Sequence, residues 1–171
     1  HKFEVKDTIW WSVYEIGQRL TDKFDNADED PDAPLPSVFI AGEACHTHSP
    51  QAGQGINVSQ GDSAHLCWKS AAVIQGRSNP DLLRSYSGER AAVAHQLIAF
   101  DQEWTKILAE QSREVGNTPK FQKYFVEHGR YTAGLSVRYS QSSLTGAATW
   151  QNLATGFDIG MRFHSAPVVR L

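Results

Sequence analysis

Apolar residues in the middle of the chain recur at three- and four-residue steps: Leu82, Tyr86, Val93, Leu97, Phe100, Trp104, Ile107 and Leu108. That period lays them along one stripe of a long amphipathic helix. Asn79-Pro80 precedes it as an N-cap and a proline at the first helical position. An earlier helix is predicted from near Gly55 to Gln75, with Gly76 as its stop, and with Ile56, Ala64, Leu66, Ala71, Val73 and Ile74 on its buried side. Residues 3–5 and 9–19 read as extended segments, because Trp, Val, Tyr and Ile are frequent and Val13, Glu15 and Gly17 alternate with bulkier neighbours. Residues 37–41 form a short apolar run with the character of a buried strand. A shorter helix is predicted over 118–130, whereas 134–160, rich in Ser, Thr and Gly, predicts little regular structure.

Between the early strands and the run at 37–41 lies Asp25-Asn26-Ala27-Asp28-Glu29-Asp30-Pro31-Asp32-Ala33-Pro34, an acidic, proline-rich loop. The net charge of −3, with basic residues scattered rather than massed, argues against a nucleic-acid surface. The longest apolar stretches fall far short of a membrane span, so a cytoplasmic protein without membrane contact is expected. Cys45 and Cys67 fit reduced thiols better than a disulfide in a chain of 171 residues. Cys45-His46-Thr47-His48 has no second Cys/His pair at zinc-ligand spacing, and no metal is expected.

The segment from Val38 to Asp62 carries the chemistry. A strand delivers Gly42-Glu43 into a Gly- and Pro-rich loop, and the loop opens directly into a helix, an arrangement that presents backbone N–H groups to an electron-rich ligand. The spacing Gly-acid-Ala-x-His-x-x-x-Pro-x-x-x-x-Gly-x-Asn-x-x-x-x-Asp resembles the second FAD-binding motif of the class A flavoprotein aromatic hydroxylases. Three further stretches resemble the phenol 2-monooxygenase group of that family: Trp10 to Arg19, Ser85-Tyr86-Ser87-Gly88-Glu89-Arg90, and Gly160 to Arg170.

The resemblance implies an α/β protein, α+β within these residues, forming part of the p-hydroxybenzoate hydroxylase-like (PHBH-like) FAD-binding fold. Residues 1–24 would end the substrate-domain sheet and 25–36 form the acidic loop. Residues 37–115 would be the C-terminal part of the FAD-binding domain, 116–159 a linker with a short helix, and 160–171 the start of a thioredoxin-like domain. It implies FAD as cofactor, NADPH or NADH as reductant, and a phenolic substrate hydroxylated with O2 ortho to its hydroxyl through a flavin C4a-hydroperoxide, in an enzyme able to form a homodimer. The Gly-x-Gly-x-x-Gly turn that holds the ADP half of FAD in the family has no counterpart here, since Gly53-Gln54-Gly55 is followed by Val58 where the third glycine belongs. The chain therefore reads as an internal piece of a larger hydroxylase, expected to hold little flavin alone. The alternative is a non-catalytic remnant that binds a partner chain or nothing.

By the same resemblance the cofactor-binding residues are Gly42, Glu43, Pro50, Gly53, Gln54, Gly55, Ile56 and Asn57, and the catalytic candidates are Tyr14 and Pro50. Gly53 and Gly55 lack the Cβ atoms that would hold a flat ring away from the backbone. Glu43 stands where relatives place an Asp that accepts a ribityl hydroxyl, and its longer side chain puts that contact at issue. Tyr14 is either a phenol-side hydroxyl near the flavin or a core aromatic beside Trp10 and Trp11. His46 and His48 are either hydrogen-bonded structural imidazoles or catalytic groups. Asn57 and Asp62 are expected to brace the helix entry, and Arg19 to pair with a carboxylate or cap the loop.

Overall fold

The computed structural model describes residues 3–28, 30, 32–113, 118–163, 165 and 167–169. In order they form β1 (Arg19–Leu20), β2 (His46–Thr47), α1 (Gly55–Ile74), α2 (Ser85–Arg113), α3 (Thr118–Glu127) and α4 (Gly129–Thr132), with 3₁₀ turns at Gly42–Ala44, Pro80–Arg84 and Gln151–Leu153. The architecture is mixed, helix-rich and poor in strands.

The two long helices stand where the apolar period puts them. α1 ends at Gly76, whose φ of +67° suits glycine, and the Arg77 amide returns 2.8 Å to the Ala72 carbonyl as the Gly76 amide returns to Val73, so the last carbonyls of the helix are satisfied. Asn79 caps the next turn by accepting the Asp81 amide at 3.0 Å, with Pro80 inside the cap. The predicted stripe of α2 is the buried one, from Leu82 and Tyr86 through Leu97 to Ile107. Near its C-terminal half an aromatic cluster forms against α3 and α4: Phe100 lies 4.7 Å from Tyr131 and 5.9 Å from Tyr124, ring centre to ring centre, and Trp104 packs on Phe121.

The buried side of α1 departs from expectation. Ile56 and Ile74 are 73% and 84% exposed and Ala64 is also exposed, while Asp62 and Lys69 are buried with Gly55 and Ala72. The apolar period failed here because two inward positions of α1 are taken by charges paired to α2, Asp62 to Arg90 and Lys69 to Glu89, beside the apolar contact of Leu66.

The predicted strands shrink to two short pieces. β1 and β2 pair antiparallel, Arg19 opposite Thr47 and Leu20 opposite His46. Residues 37–41 make a single bridge, Phe39 to Asp25, with Ile40 N–H donating to the Phe24 carbonyl at 2.9 Å. Residues 3–18 have no ladder partner among the described residues, and Trp10, Trp11 and Tyr14 are exposed rather than in a core. A strand is stabilised by its neighbour, and these residues supply none to that segment. The acidic loop closes on Asn26, whose side-chain carbonyl accepts the amides of Ser37 and Val38 at 2.9 and 3.0 Å; Glu29 and Pro31 lie outside the described residues. So do 114–117, which span the expected 115/116 boundary, and His164, Ala166, Arg170 and Leu171 of the last expected unit.

Phe24, Cys45, Tyr86 and Ala94 form the centre of the core, with Leu20, Phe39, Ile40, Leu66 and Ala91 packed around them. Burying Phe24 and Tyr86 contributes about 1.5–3 kcal/mol apiece. The Tyr86 hydroxyl donates to the Ile40 carbonyl at 2.9 Å, so this core fixes the chain just before Gly42.

Candidate functional site

Gly42 opens the site. Its φ of +64° and the approach of Ser59, whose Cβ would lie 3.2 Å from any Cβ added there, both require glycine. Its amide donates to Asp62 Oδ2 at 3.1 Å, tying the turn to α1. Glu43 follows in the 3₁₀ turn, not at the end of a strand as expected, and is exposed. It borders a depression of about 330 Å³ shared with Ile56, Ser59, Gln60 and Ser63.

β2 then leads into the loop. Ser49 is buried, its amide donating to Asp101 Oδ2 at 2.8 Å and its hydroxyl to Oδ1. Pro50 is exposed, and its carbonyl accepts the Gly53 amide at 3.1 Å, closing a four-residue turn with Gly53 at φ +65°. The Asn57 side chain donates back to the Gly53 carbonyl at 3.2 Å, bracing the helix entry as expected. Gln54 donates to the carbonyls of Ala52 and Thr132, at 3.2 and 3.1 Å, and so fastens the loop to α4.

These contacts spend the loop's side chains inward and leave the start of α1 open. Gln54 provides no side-chain cap, the first turn carries no acidic residue, and among the described residues the first helical amide to find an acceptor is that of Val58, on the Gln54 carbonyl at 3.1 Å. The amides of Gly55, Ile56 and Asn57 precede it, the group of donors that a helix leaves unsatisfied at its positive end. Nothing lies within 4 Å of where a Gly53 Cβ would be, so a planar group can approach the backbone there. Gly55 has a different reason: its Cβ would fall 1.7 Å from Nε2 of His48. The missing side chain at 55 makes room for the imidazole, which corrects the expectation that it makes room for a cofactor ring.

Asp62 organises the floor. Wholly buried, it takes Nε2 of His46 at 2.8 Å and Nε of Arg90 at 2.6 Å in addition to the Gly42 amide. Burial pushes its carboxyl up, but the hydrogen bonds from His46 and Arg90, the guanidinium charge and the Gly42 amide outweigh this and hold it below the usual range. Arg90 also donates to the Tyr139 hydroxyl at 2.8 Å and to the Val58 carbonyl at 3.1 Å. Tyr139, having accepted from Arg90, passes its own proton toward His65 Nε2 at 3.1 Å, which suits a neutral imidazole. His65 is held below its ordinary value first by burial and then by Arg90 and Lys69. Next to it Lys69, fully buried, pairs with Glu89 at 2.7 Å, and Glu89 accepts the Ser142 hydroxyl at 3.1 Å. Burial first, and then the Asp62 charge, push the thiol of the buried Cys45 up to about 12, away from the thiolate form. Cys45 and Cys67 are both free.

The structure thus gathers Gly42, Glu43, Pro50, Gly53, Gln54, Gly55, Ile56 and Asn57 around one helix entry. Tyr14 is not brought to them: it stands 82% exposed, with no hydrogen bond or ring contact to the loop among the described residues. Arg19 folds its guanidinium over Gly17 and makes no carboxylate pair among the described residues. Arg90, Asp101, Ser49 and Gln18 act at the site without having been singled out for it. Arg90 sits within the Ser85 to Arg90 stretch, and an Arg amid apolar helix positions was the available signal; for Asp101, only its place on the stripe beside Phe100 hinted at burial.

The family model described as FAD binding domain matches residues 3–101. The chain is 56% identical over 178 residues to 3-hydroxybenzoate 4-monooxygenase of Comamonas testosteroni, covering all of this chain and 28% of that protein. It is 34% identical over 157 residues to a phenol 2-monooxygenase of Aspergillus fumigatus, covering 90% of this chain and 25% of that one. Among solved structures, OxyS anhydrotetracycline hydroxylase from Streptomyces rimosus superposes with a TM-score of 0.58 at 26% identity, over 72% of this chain and 25% of its own. The chain therefore spans about a quarter of the length of the proteins it matches.

Proposed function

The chain belongs to the FAD binding domain family, among the FAD-dependent aromatic monooxygenases, and we propose that it supplies the flavin-facing loop of an NAD(P)H-consuming hydroxylase acting on a phenolic ring. The observation that carries the reading is the open start of α1: amides 55–57 without an acceptor among the described residues, an unobstructed backbone at Gly53 and a depression beside Glu43. The donor set fits FAD, because a positive helix end suits the electron-rich edge of an isoalloxazine, each contact contributing about 0.3–1 kcal/mol.

When bound, FAD supplies the redox chemistry that activates O2. The residues of this chain hold and shield it. Amides 55–57 would donate to the ring's negative edge, Glu43 would accept from a ribityl hydroxyl, and Pro50 would set the direction of the loop between cofactor and substrate. Tyr14 would reach the substrate only with its segment seated in a sheet, where its phenol could exchange a hydrogen bond with the substrate hydroxyl. Ortho hydroxylation is favoured by the names of the two relatives, 3-hydroxybenzoate 4- and phenol 2-, each of which puts the new oxygen beside the existing hydroxyl. The 56% identity makes a hydroxybenzoate the first substrate to try.

The test is a chimera in which these 171 residues replace the matching segment of the Comamonas testosteroni protein. It should purify with flavin absorbance and convert 3-hydroxybenzoate with consumption of NADPH or NADH. A folded chimera without flavin would refute the reading and leave the non-catalytic alternative.

A further inference from the structure

Asp101 lies on α2, outside the cofactor loop, yet it is 1% exposed and receives three donors. Its Oδ2 takes the Ser49 amide and Gln18 Nε2, each at 2.8 Å, and its Oδ1 takes the Ser49 hydroxyl. Gln18 Nε2 also reaches Thr105 Oγ1 at 3.4 Å, one turn further along α2. Ser49 immediately precedes Pro50, and Gln18 ends the segment that carries Tyr14. A neighbouring bond, Thr47 Oγ1 to the Gly17 carbonyl at 2.6 Å, ties the same two stretches directly.

We propose that Asp101 is a positioning residue for the flavin site, one carboxylate that sets the distance between the Pro50 turn and the Tyr14 segment. The inference rests on the reading above but goes beyond it, since Asp101 has no place in the cofactor loop. A carboxylate suits the task for a geometric reason: two oxygens, four acceptor positions and no proton let it serve all three donors from two chain segments at once. An amide at 101 offers a single acceptor oxygen, which can keep the Ser49 amide and Gln18 but not the Ser49 hydroxyl in its present sense.

Hydrogen exchange on the full 171-residue chain tests the clamp without any flavin. In Asp101→Leu the hydrogen-bonded loop amides, those of Ser49, Gln51 and Gly53, should exchange on the order of 10-fold faster, the factor expected when about 1.4 kcal/mol of local protection is lost, while those of 61–72 in α1 stay within twofold. Asp101→Asn should recover most of the loop protection. Should Asp101→Leu prove unfolded, Ser49→Ala combined with Gln18→Met gives the same comparison. A uniform rise across loop and helix alike, or none in the loop, overturns the proposal. In the flavin-bound chimera, Asp101→Leu should lower kcat/KM on the order of 10²-fold, as expected of a displacement near 1 Å. The fraction of NAD(P)H oxidised without hydroxylated product should rise with it. Unchanged coupling and kcat/KM would equally overturn it. If the unsubstituted chimera binds no flavin, the functional reading fails, and the exchange data still decide the clamp.

Discussion

His48 and Gly55 occupy one space: the imidazole Nε2 lies where a side chain on residue 55 would begin, 1.7 Å from the position of its Cβ. Gly55→Ala must therefore push the ring or the helix entry aside, and the displaced imidazole has a buried Nδ1 without a hydrogen bond. We expect a loss of about 1–3 kcal/mol in urea unfolding, the range of overpacking. Truncating the ring should relieve it, so His48→Ala/Gly55→Ala should be more stable than Gly55→Ala alone. A cofactor-only role for Gly55 predicts no effect on the flavin-free chain.

Asp62 and Arg90 form a buried pair whose members each hold other groups. Asp62→Asn or Arg90→Met alone should cost about 3–5 kcal/mol, because the remaining charge is left buried and unpaired. The double variant should cost much less than the sum of the two, and a double-mutant cycle on chemical denaturation measures the difference. Additive losses would mean that the pair is not coupled.

Acid should loosen the fold in two stages. His65 binds its proton less readily in the fold than in the unfolded chain, so stability falls as pH drops through 6.5, its ordinary value. Asp62 is depressed in the fold, so its contribution is fully present above 3.8 and is lost as pH falls further, through its folded value. Melting temperature against pH should show both limbs, and His65→Gln should remove the upper one alone. An upper limb that survives His65→Gln assigns it to another group.

Glu43 is exposed at the rim of its depression, free to adjust. Glu43→Asp in the chimera should leave the dissociation constant for FAD unchanged or lower it, read by flavin fluorescence. A marked loosening would establish that the longer side chain is the adapted one at this position.

Much of the fold was legible because it is local. The α2 stripe, the Asn79-Pro80 cap and the Gly76 stop are set by short-range geometry, and each stands where the pattern placed it. What could not be read depends on partners distant in sequence. Residues 3–18 have strand composition, but composition does not supply a neighbouring strand. Ile56 and Ile74 point outward because Asp62 and Lys69 take the inward positions, paired to residues 28 and 20 positions away. Of the candidate site, the loop opening into a helix near Gly55 was legible from local spacing. The clamp at Asp101 was not, since its partners lie 52 and 83 residues upstream.

The facing surfaces of α1 and α2 are joined by Asp62 to Arg90 and Lys69 to Glu89. Apolar faces can slide past one another by small increments, but these charges match in one register only, and a slip of a single turn would strand four of them away from water. The register of the seam is therefore set by charge as well as by shape. Since Asp62 also holds the Gly42 amide, damage to the seam should reach the turn at Gly42 as well as the helix pair.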